Sequence, residues 1–511
     1  MKSITIFIFI SLFLLFRPYQ LQNTGMWYKD DDYDYFAHAS SIVFGQFPSY
    51  EKEFFLPINN SKSPLGSIGS GVMAAPFVFI FSLIDRCIGS DIVQQRTEEN
   101  VRYSWSLFGF IFASSVYLWL GCLALYKGLR YFFKDRHAAL SVIITVLCQG
   151  IPLFVFRRPV FSHVYEFFLQ SIMMFLLLSG VYFNNKKVLR RDNYWKDIGI
   201  GVLIGFIYLV RYNNLFFALM WPIILLIVNK YDIKSFKFWK KLSLSYFVMI
   251  AIIGCLKWLP NMYCSHTGYV NEMQKLTTLE PIMFYFKRLI HVFFAVDWGL
   301  IYTAPFVLVG LFSMFLIKSN IKKYLLICLL PSIVNLYIIM MWKTQGGWYG
   351  YRYIIAAIIP LLVYPNALFL ELGEKKYGKR IWFLLGALIL LPLLSMLCFE
   401  GSRGYLVMNV VEQYFGVSGW SNNMYQMQIW KMFLFEFFDL VYVIFNGGFY
   451  YLGYLLSLLL NCISIDIVLP SYFYEYRSFQ ISVLLKTSII YCMPFCLFLI
   501  FKKAWPSPRN I

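Results

Sequence analysis

Charge is what this chain has least of. Only 14% of its 511 residues are Asp, Glu, Lys or Arg, while 59% are hydrophobic and 20% aromatic. Soluble domains carry about a quarter charged residues, so this composition cannot cover a water-facing surface. It reads as an all-α, polytopic membrane protein. The ten cysteines form no C-x-x-C pair and sit mostly in apolar runs (Cys122, Cys148, Cys328, Cys398, Cys492, Cys496). That argues against a zinc ribbon or a disulfide framework and for small core residues. His38, His266 and His291 show no ligand spacing, so no zinc site is expected. There is no Gly-rich strand-turn-helix unit for a nucleotide, no internal repeat and no low-complexity tract.

Acids are scarcer than bases, 26 against 45, for a formal net charge of +19. The excess is sorted along the chain. The apolar run Ile4–Phe16 reads as an uncleaved signal anchor, because no small-x-small site precedes Arg17 and Pro18. Further spans fall at about 105–126, 138–156, 160–183, 197–212, 213–228, 242–260, 299–317, 323–342, 353–370, 381–398 and 481–501. That makes about twelve, with both termini on one side. The segments this topology puts in the cytoplasm hold 25 of the 45 basic residues and 6 of the 26 acidic ones. The formal excess thus lies on one face, where it follows the positive-inside rule and attracts anionic lipid heads, with no reason to expect nucleic acid.

The same rule treats the apolar stretch Ile68–Ile84. If it crossed, the next span would carry Lys127, Arg130, Lys134 and Arg136 outside, so it is expected to be re-entrant or interfacial. The apolar run Met432–Cys462, broken by Asn446-Gly447-Gly448, is likewise expected to be an interfacial hairpin. Residues 1–398 then form a transmembrane module with a first outer loop at about 22–103. Residues 399–480 form an outer segment, and 481–511 the last span and tail.

That first loop opens with four carboxylates in five positions: Asp30, Asp31, Asp32 and Asp34. Held beside hydrocarbon, such a cluster repels itself unless cations, hydrogen bonds or a substrate compensate. The plainer reading is a solvated, acidic helix start. At the ends of the expected spans stand Arg157-Arg158, Arg211-Tyr212-Asn213-Asn214, and the run from Trp342 through Trp348 to Arg352. Outer arginines depart from the positive-inside rule. Phosphate is the partner that guanidinium suits best, through paired charge-assisted hydrogen bonds, and lipid-head snorkelling is the alternative. His163, Glu166 and Gln170 lie at i, i+3 and i+7, on one face of a helix.

Asp31-Asp32-x-x-Tyr35-x-x-x-Ala39, with Gly45 and Pro48, resembles the first-loop motif of the C-type (GT-C) membrane glycosyltransferases. That group includes the protein O-mannosyltransferases and the lipid A aminoarabinose transferase. Here Asp32 stands where the pattern has Glu. Pro64-x-Gly66, the stretch Asp297-x-Gly299-Leu300 to Pro305, and the Trp342–Pro360 run follow in matching order. The resemblance covers most of residues 25–365.

It implies transfer of a sugar from a polyprenyl-phosphate carrier to an acceptor hydroxyl on a glycan, lipid or protein, on the outer face of a bacterial cytoplasmic membrane. Asp31 is then the expected general base with Asp32 beside it. Arg157, Arg158, Arg211 and Arg352 would face the phosphate, and Asp34, Tyr35, His163 and Trp348 would line the substrate. A single displacement implies inversion at the anomeric carbon. No cofactor is required, and a divalent cation is the optional ligand that Asp32 and Asp34 allow. A lipid-linked polysaccharide polymerase or ligase, and a flippase or transporter, are the rival readings. A cysteine placed at Gln345 should react with an impermeant maleimide from outside in whole cells, and one at Val188, Phe236 or Lys376 should not. Reaction at 236 would invert the topology.

Overall fold

The computed structural model describes residues 31–50, 64, 66–89, 104–156, 159–186, 193–263, 289, 292–293, 300–341, 352–378, 380–389 and 392. The proposed hairpin at 432–462 and the last span lie outside these residues. Among them the protein is all helix, with no strand. Five helices are long and apolar enough to cross a membrane, and the chain is an integral membrane protein. In chain order the elements are α1 (Asp31–Val43), α2 (Ile68–Cys87), α3 (Trp105–Leu129), α4 (Asp135–Val142), α5 (Ile151–Phe156), α6 (His163–Asn185), α7 (Tyr194–Val210), α8 (Leu215–Val228), α9 (Phe236–Ile253), α10 (Leu300–Thr303), α11 (Pro305–Ser313), α12 (Ile321–Met341) and α13 (Arg352–Tyr377). Arg380–Ile389 forms α14.

Two expected spans are interrupted, each at a proline. The stretch 138–156 runs as α4, a π turn over Ile143–Leu147, a turn, and α5. Pro152 is the second residue of α5, where its missing N–H would be unpaired anyway. The span 299–317 breaks at Ala304, and Pro305 starts α11. Elsewhere the expected and observed helices overlap, with described ends that differ by up to seven residues: the helix expected from 242 begins at Phe236, and the one expected to end at 370 runs to Tyr377. Gly378, with φ +54°, ends α13. That left-handed turn costs glycine least, and its N–H caps the Glu374 carbonyl.

Helix α2 is continuous over its 20 residues and runs antiparallel to the N-terminal half of α3. At one end of the pair the Asp85 carboxylate accepts from the backbone N–H groups of Trp105 (2.8 Å) and Ser106 (2.7 Å). At the other end the Tyr117 hydroxyl donates to the Met73 carbonyl at 2.9 Å. Asp85 thereby satisfies donors that the first turn of α3 would otherwise leave orphaned in an apolar setting. Between these anchors a Cβ on Gly109 would lie 2.6 Å from the Phe77 carbonyl oxygen, so glycine sets the interaxial distance.

Charged segments that the sequence puts on one face do meet. Glu374 beyond the core of α13 takes Arg136 at 2.9 Å and His137 at 2.7 Å, and the Arg136 guanidinium lies 4.7 Å from the Trp382 ring centroid. Lys241 pairs with Asp197 at 2.8 Å, both nearly buried. Hydroxyls at depth turn back on the helix: Ser40 donates to Phe36 and Ser171 to Phe167, which spares them an unpaired burial.

Gly109→Val should lower stability by about 1–3 kcal/mol through overpacking. Gly199→Ala, with nothing within 4 Å of the added carbon, should be neutral or stabilising by up to about 1 kcal/mol. Thermal unfolding in detergent compares the two.

Candidate functional site

Helix α7 stops at Val210 because Arg211 is extended (φ −153°, ψ 118°), and a short 3-10 turn over Tyr212–Asn214 leads into α8. The break would strand the last carbonyls of α7. The Ser67 hydroxyl donates to the Val210 carbonyl, and Gly69 lies against the Leu209–Val210 peptide so closely that a Cβ there would be 2.4 Å from Val210 N. The break therefore holds the 66–69 segment as well as the arginine.

Arg211 is buried with Glu166 and His163 of α6. Its Nη1 lies 2.6 Å from His163 Nδ1 and 3.6 Å from Glu166 Oε2. Asn214 Nδ2 donates to Glu166 Oε1 at 2.7 Å, and Asn335 Nδ2 of α12 donates to Asn214 Oδ1 at 3.2 Å. One turn down α6, Gln170 Oε1 accepts from Trp221 Nε1 at 2.9 Å. The i, i+3, i+7 face thus points inward as the spacing implies. Four helices supply one polar network inside an apolar bundle. It has spare capacity: Glu166 Oε2, Gln170 Nε2 and Asn335 Oδ1 are buried without a hydrogen-bond partner among the described residues. Native structures rarely leave such atoms unused unless water, an ion or a substrate completes them.

The first-loop helix reaches the same place. Ser162, just before α6, donates to the Tyr35 hydroxyl at 3.2 Å. His38 fixes α1 from its other side, with Nδ1 2.7 Å from the Tyr50 hydroxyl and Nε2 2.9 Å from the Gly66 carbonyl. Gly66 abuts Asp34 and Tyr35, a Cβ there lying 2.7 Å from Asp34 Cβ. Gly45, at φ +74°, turns the chain after α1, a conformation that favours glycine.

Of the residues expected at a site, the structure pairs His163 with Arg211 and ties Tyr35 to Ser162, the residue before His163, while Asp34 lies against Gly66. Asp31 and Asp32 open α1 three and two residues ahead of Asp34, and Arg352 opens α13. The side chains of these three, and Arg157, Arg158 and Trp348 altogether, lie outside the described residues. Among the described residues no three His, Cys, Asp or Glu side chains gather as a metal site. Sequence reasoning gave no role to Ser162, Asn335 or the clamp made by His38. No spacing singles these residues out, and only the partner of each reveals its use. Arg211, expected to face the phosphate, also meets His163 and Glu166, partners that the sequence does not reveal.

Removing one member of a buried ion pair strands the other, at about 3–5 kcal/mol. Glu166→Leu should therefore destabilise the protein by that order, and Glu166→Leu with Arg211→Met by clearly less than the sum of the singles. Unfolding in detergent of the four proteins of the cycle measures this.

No family model matches the chain, and no curated protein matches it. Among solved structures it is similar to ArnT from Cupriavidus metallidurans bound to undecaprenyl phosphate: TM-score 0.47, 14% identity, over 97% of this chain and 75% of that one. It is also similar to the archaeal oligosaccharyltransferase AglB from Archaeoglobus fulgidus, in complex with an inhibitory peptide and a dolichol-phosphate: TM-score 0.38, 13% identity, over 87% of this chain and 55% of that one. With both TM-scores under one half, what the site does is read from the chain's own residues.

Proposed function

We propose that this protein is a membrane glycosyltransferase that moves a sugar from a polyprenyl-phosphate carrier to an acceptor hydroxyl on the extracytoplasmic face, inverting the anomeric carbon. The observation that carries this reading is the convergence at one end of the bundle of the acidic first-loop helix, through Tyr35 and Ser162, with the buried His163–Arg211–Glu166 network. A base and a fixed cation side by side are what glycosyl transfer from phosphate demands. The base takes the acceptor proton as its oxygen attacks, and cations stabilise the departing phosphate. Asp31 is the proposed base and Asp32 its neighbour. Arg157, Arg158 and Arg352, with Trp348, are proposed to meet the carrier, and Asp34, Tyr35 and His163 the sugar.

Arg211 enters in a narrower role. Its pairing with Glu166 and His163 makes it a fixed positive end of the network, one that raises the local potential without having to leave its partners. The similar solved structures are described with undecaprenyl phosphate and with a dolichol-phosphate, which agrees with a lipid-linked donor. A bacterial cytoplasmic membrane fits the sorting of basic residues.

Removing a positioned base costs about 10²–10⁴ in rate. Asp31→Asn should therefore insert and fold normally, bind carrier and transfer almost no sugar, while Asp34→Asn keeps much of its turnover. The measurement is release of free polyprenyl phosphate by purified protein given a monosaccharide-linked carrier and cell extract. Normal transfer by Asn variants at all four aspartates would sink the reading, and a dead Asp32→Asn beside an active Asp31→Asn would move the base by one residue.

A further inference from the structure

Four buried polar atoms around the network have no hydrogen-bond partner among the described residues: Glu166 Oε2 and Gln170 Nε2 on α6, and Asn335 Oδ1 and Ser332 Oγ on α12. Their residues are at most 3% exposed. Buried polar groups carry a desolvation penalty that a partner normally offsets. On each helix the two lie one turn apart on one face, Glu166 and Gln170 at i and i+4, Ser332 and Asn335 at i and i+3. The break before α8 joins the two faces, because Asn214 meets Glu166 on one side and Asn335 on the other.

The bonds already made decide what each unfilled atom offers. Trp221 Nε1 can only donate, so it fixes the Gln170 amide with Oε1 toward the indole and leaves Nε2 as an unfilled donor. Asn214 gives its Nδ2 to the Glu166 carboxylate, so its Oδ1 accepts from Asn335 Nδ2 and Asn335 keeps an unfilled acceptor. Glu166 Oε2 is a second acceptor, opposed by the Arg211 charge at 3.6 Å but not hydrogen-bonded. Ser332 can donate or accept. Ser40 and Ser171 turn back on the carbonyl four residues earlier. Ser332 makes no such bond, which leaves its hydroxyl to a neighbour.

This set selects a ligand by its chemistry. A phosphate brings only acceptor oxygens and would face two acceptors, one of them charged. An ammonium would be held beside Arg211, and an isoprenoid has no polar atom to offer. A hydroxyl both donates and accepts, so two neighbouring hydroxyls satisfy Glu166 and Asn335 while one of them accepts from Gln170. Glu166 and Gln170 are about 6 Å apart along the helix axis, a reach that the hydroxyls of one pyranose ring cover.

We propose that Glu166, Gln170, Asn335 and Ser332 form the subsite that reads the ring hydroxyls of the transferred sugar, which extends inward from His163 with its carrier phosphate on the outer side. The inference rests on the glycosyltransferase reading and names the residues that select a neutral, hydroxyl-bearing sugar.

The test titrates full-length protein in phosphatidylcholine nanodiscs with undecaprenyl phosphate, bare and linked to glucose, mannose, galactose or xylose. Wild type should bind at least one sugar-linked form about tenfold or more tightly than the bare carrier, the size expected of two or three hydroxyl hydrogen bonds. Asn335→Leu and Ser332→Ala should each reduce that preference about threefold or more and leave the affinity for bare undecaprenyl phosphate unchanged. Ser332→Ala removes no bond made among the described residues, so it should also keep the wild-type unfolding temperature, which separates recognition from folding. If wild type prefers a sugar-linked form and Asn335→Leu, Ser332→Ala and Gln170→Leu all keep the preference, water fills these atoms and this inference fails alone. It fails as well if the variants weaken bare and sugar-linked carrier equally. A wild type that binds the bare carrier as tightly as all four sugar-linked forms overturns the subsite while carrier binding stands. Failure to bind any of the five would remove the glycosyltransferase reading along with it.

Discussion

A charge inside an apolar helical bundle must be paired or it expels the structure that contains it, and the buried Glu166–Arg211–His163 network is where that constraint falls on this protein. Much of the local backbone is arranged to serve it. Helix α6 begins at His163 so that Glu166 lies one turn in, and α7 ends at Val210 so that Arg211 leaves the helix and turns to meet it. Asn214 follows because the 3-10 turn after Arg211 carries its amide to the second oxygen of the same carboxylate. Asn335 then ties in α12. Four helices are fixed at one end by groups that none of them could bury alone.

Breaking a helix at membrane depth strands carbonyls, and the protein meets that cost with side chains from the first loop. Ser67 caps Val210 and Gly69 allows the backbones to touch, so the loop is docked by the same break that delivers Arg211. His38 and Tyr35 extend the docking to α1. The opposite end carries the Arg136–Glu374 and Lys241–Asp197 ion pairs and a hydrogen bond between His137 and Glu374. Buried polar atoms without a hydrogen-bond partner among the described residues occur at both ends, Arg136 Nε and His137 Nδ1 at one and Glu166 Oε2, Gln170 Nε2 and Asn335 Oδ1 at the other.

How much of the site was legible can be judged residue by residue. The shared face of His163, Glu166 and Gln170 follows from helical spacing, and the structure finds all three facing inward, with partners in the break between α7 and α8 and on α8. Arg211 stands out because an outer arginine breaks a rule, but spacing along one chain cannot reveal that a histidine and a glutamate 48 and 45 positions earlier will meet it. Asn335 and Ser162 carried no signal at all. A lone Asn or Ser in an apolar run looks the same whether it caps its own helix or joins another.

What the sequence by itself determined is the class and the layout. Low charge and long apolar runs require helices in a bilayer, because no other open structure satisfies the backbone there, and most helix positions follow from where those runs end. The interruptions near Pro152 and at Pro305 are written locally too, in a residue that cannot donate its N–H. Tertiary structure decided which helix ends face each other, that α2 lies along the first half of α3, and that Arg211 is paired with Glu166 and His163. The physical reason is one of range. Propensity, hydropathy and charge sorting act over a few residues or along the membrane normal, whereas the pairing of buried polar groups is settled by lateral contacts between segments dozens to hundreds of residues apart.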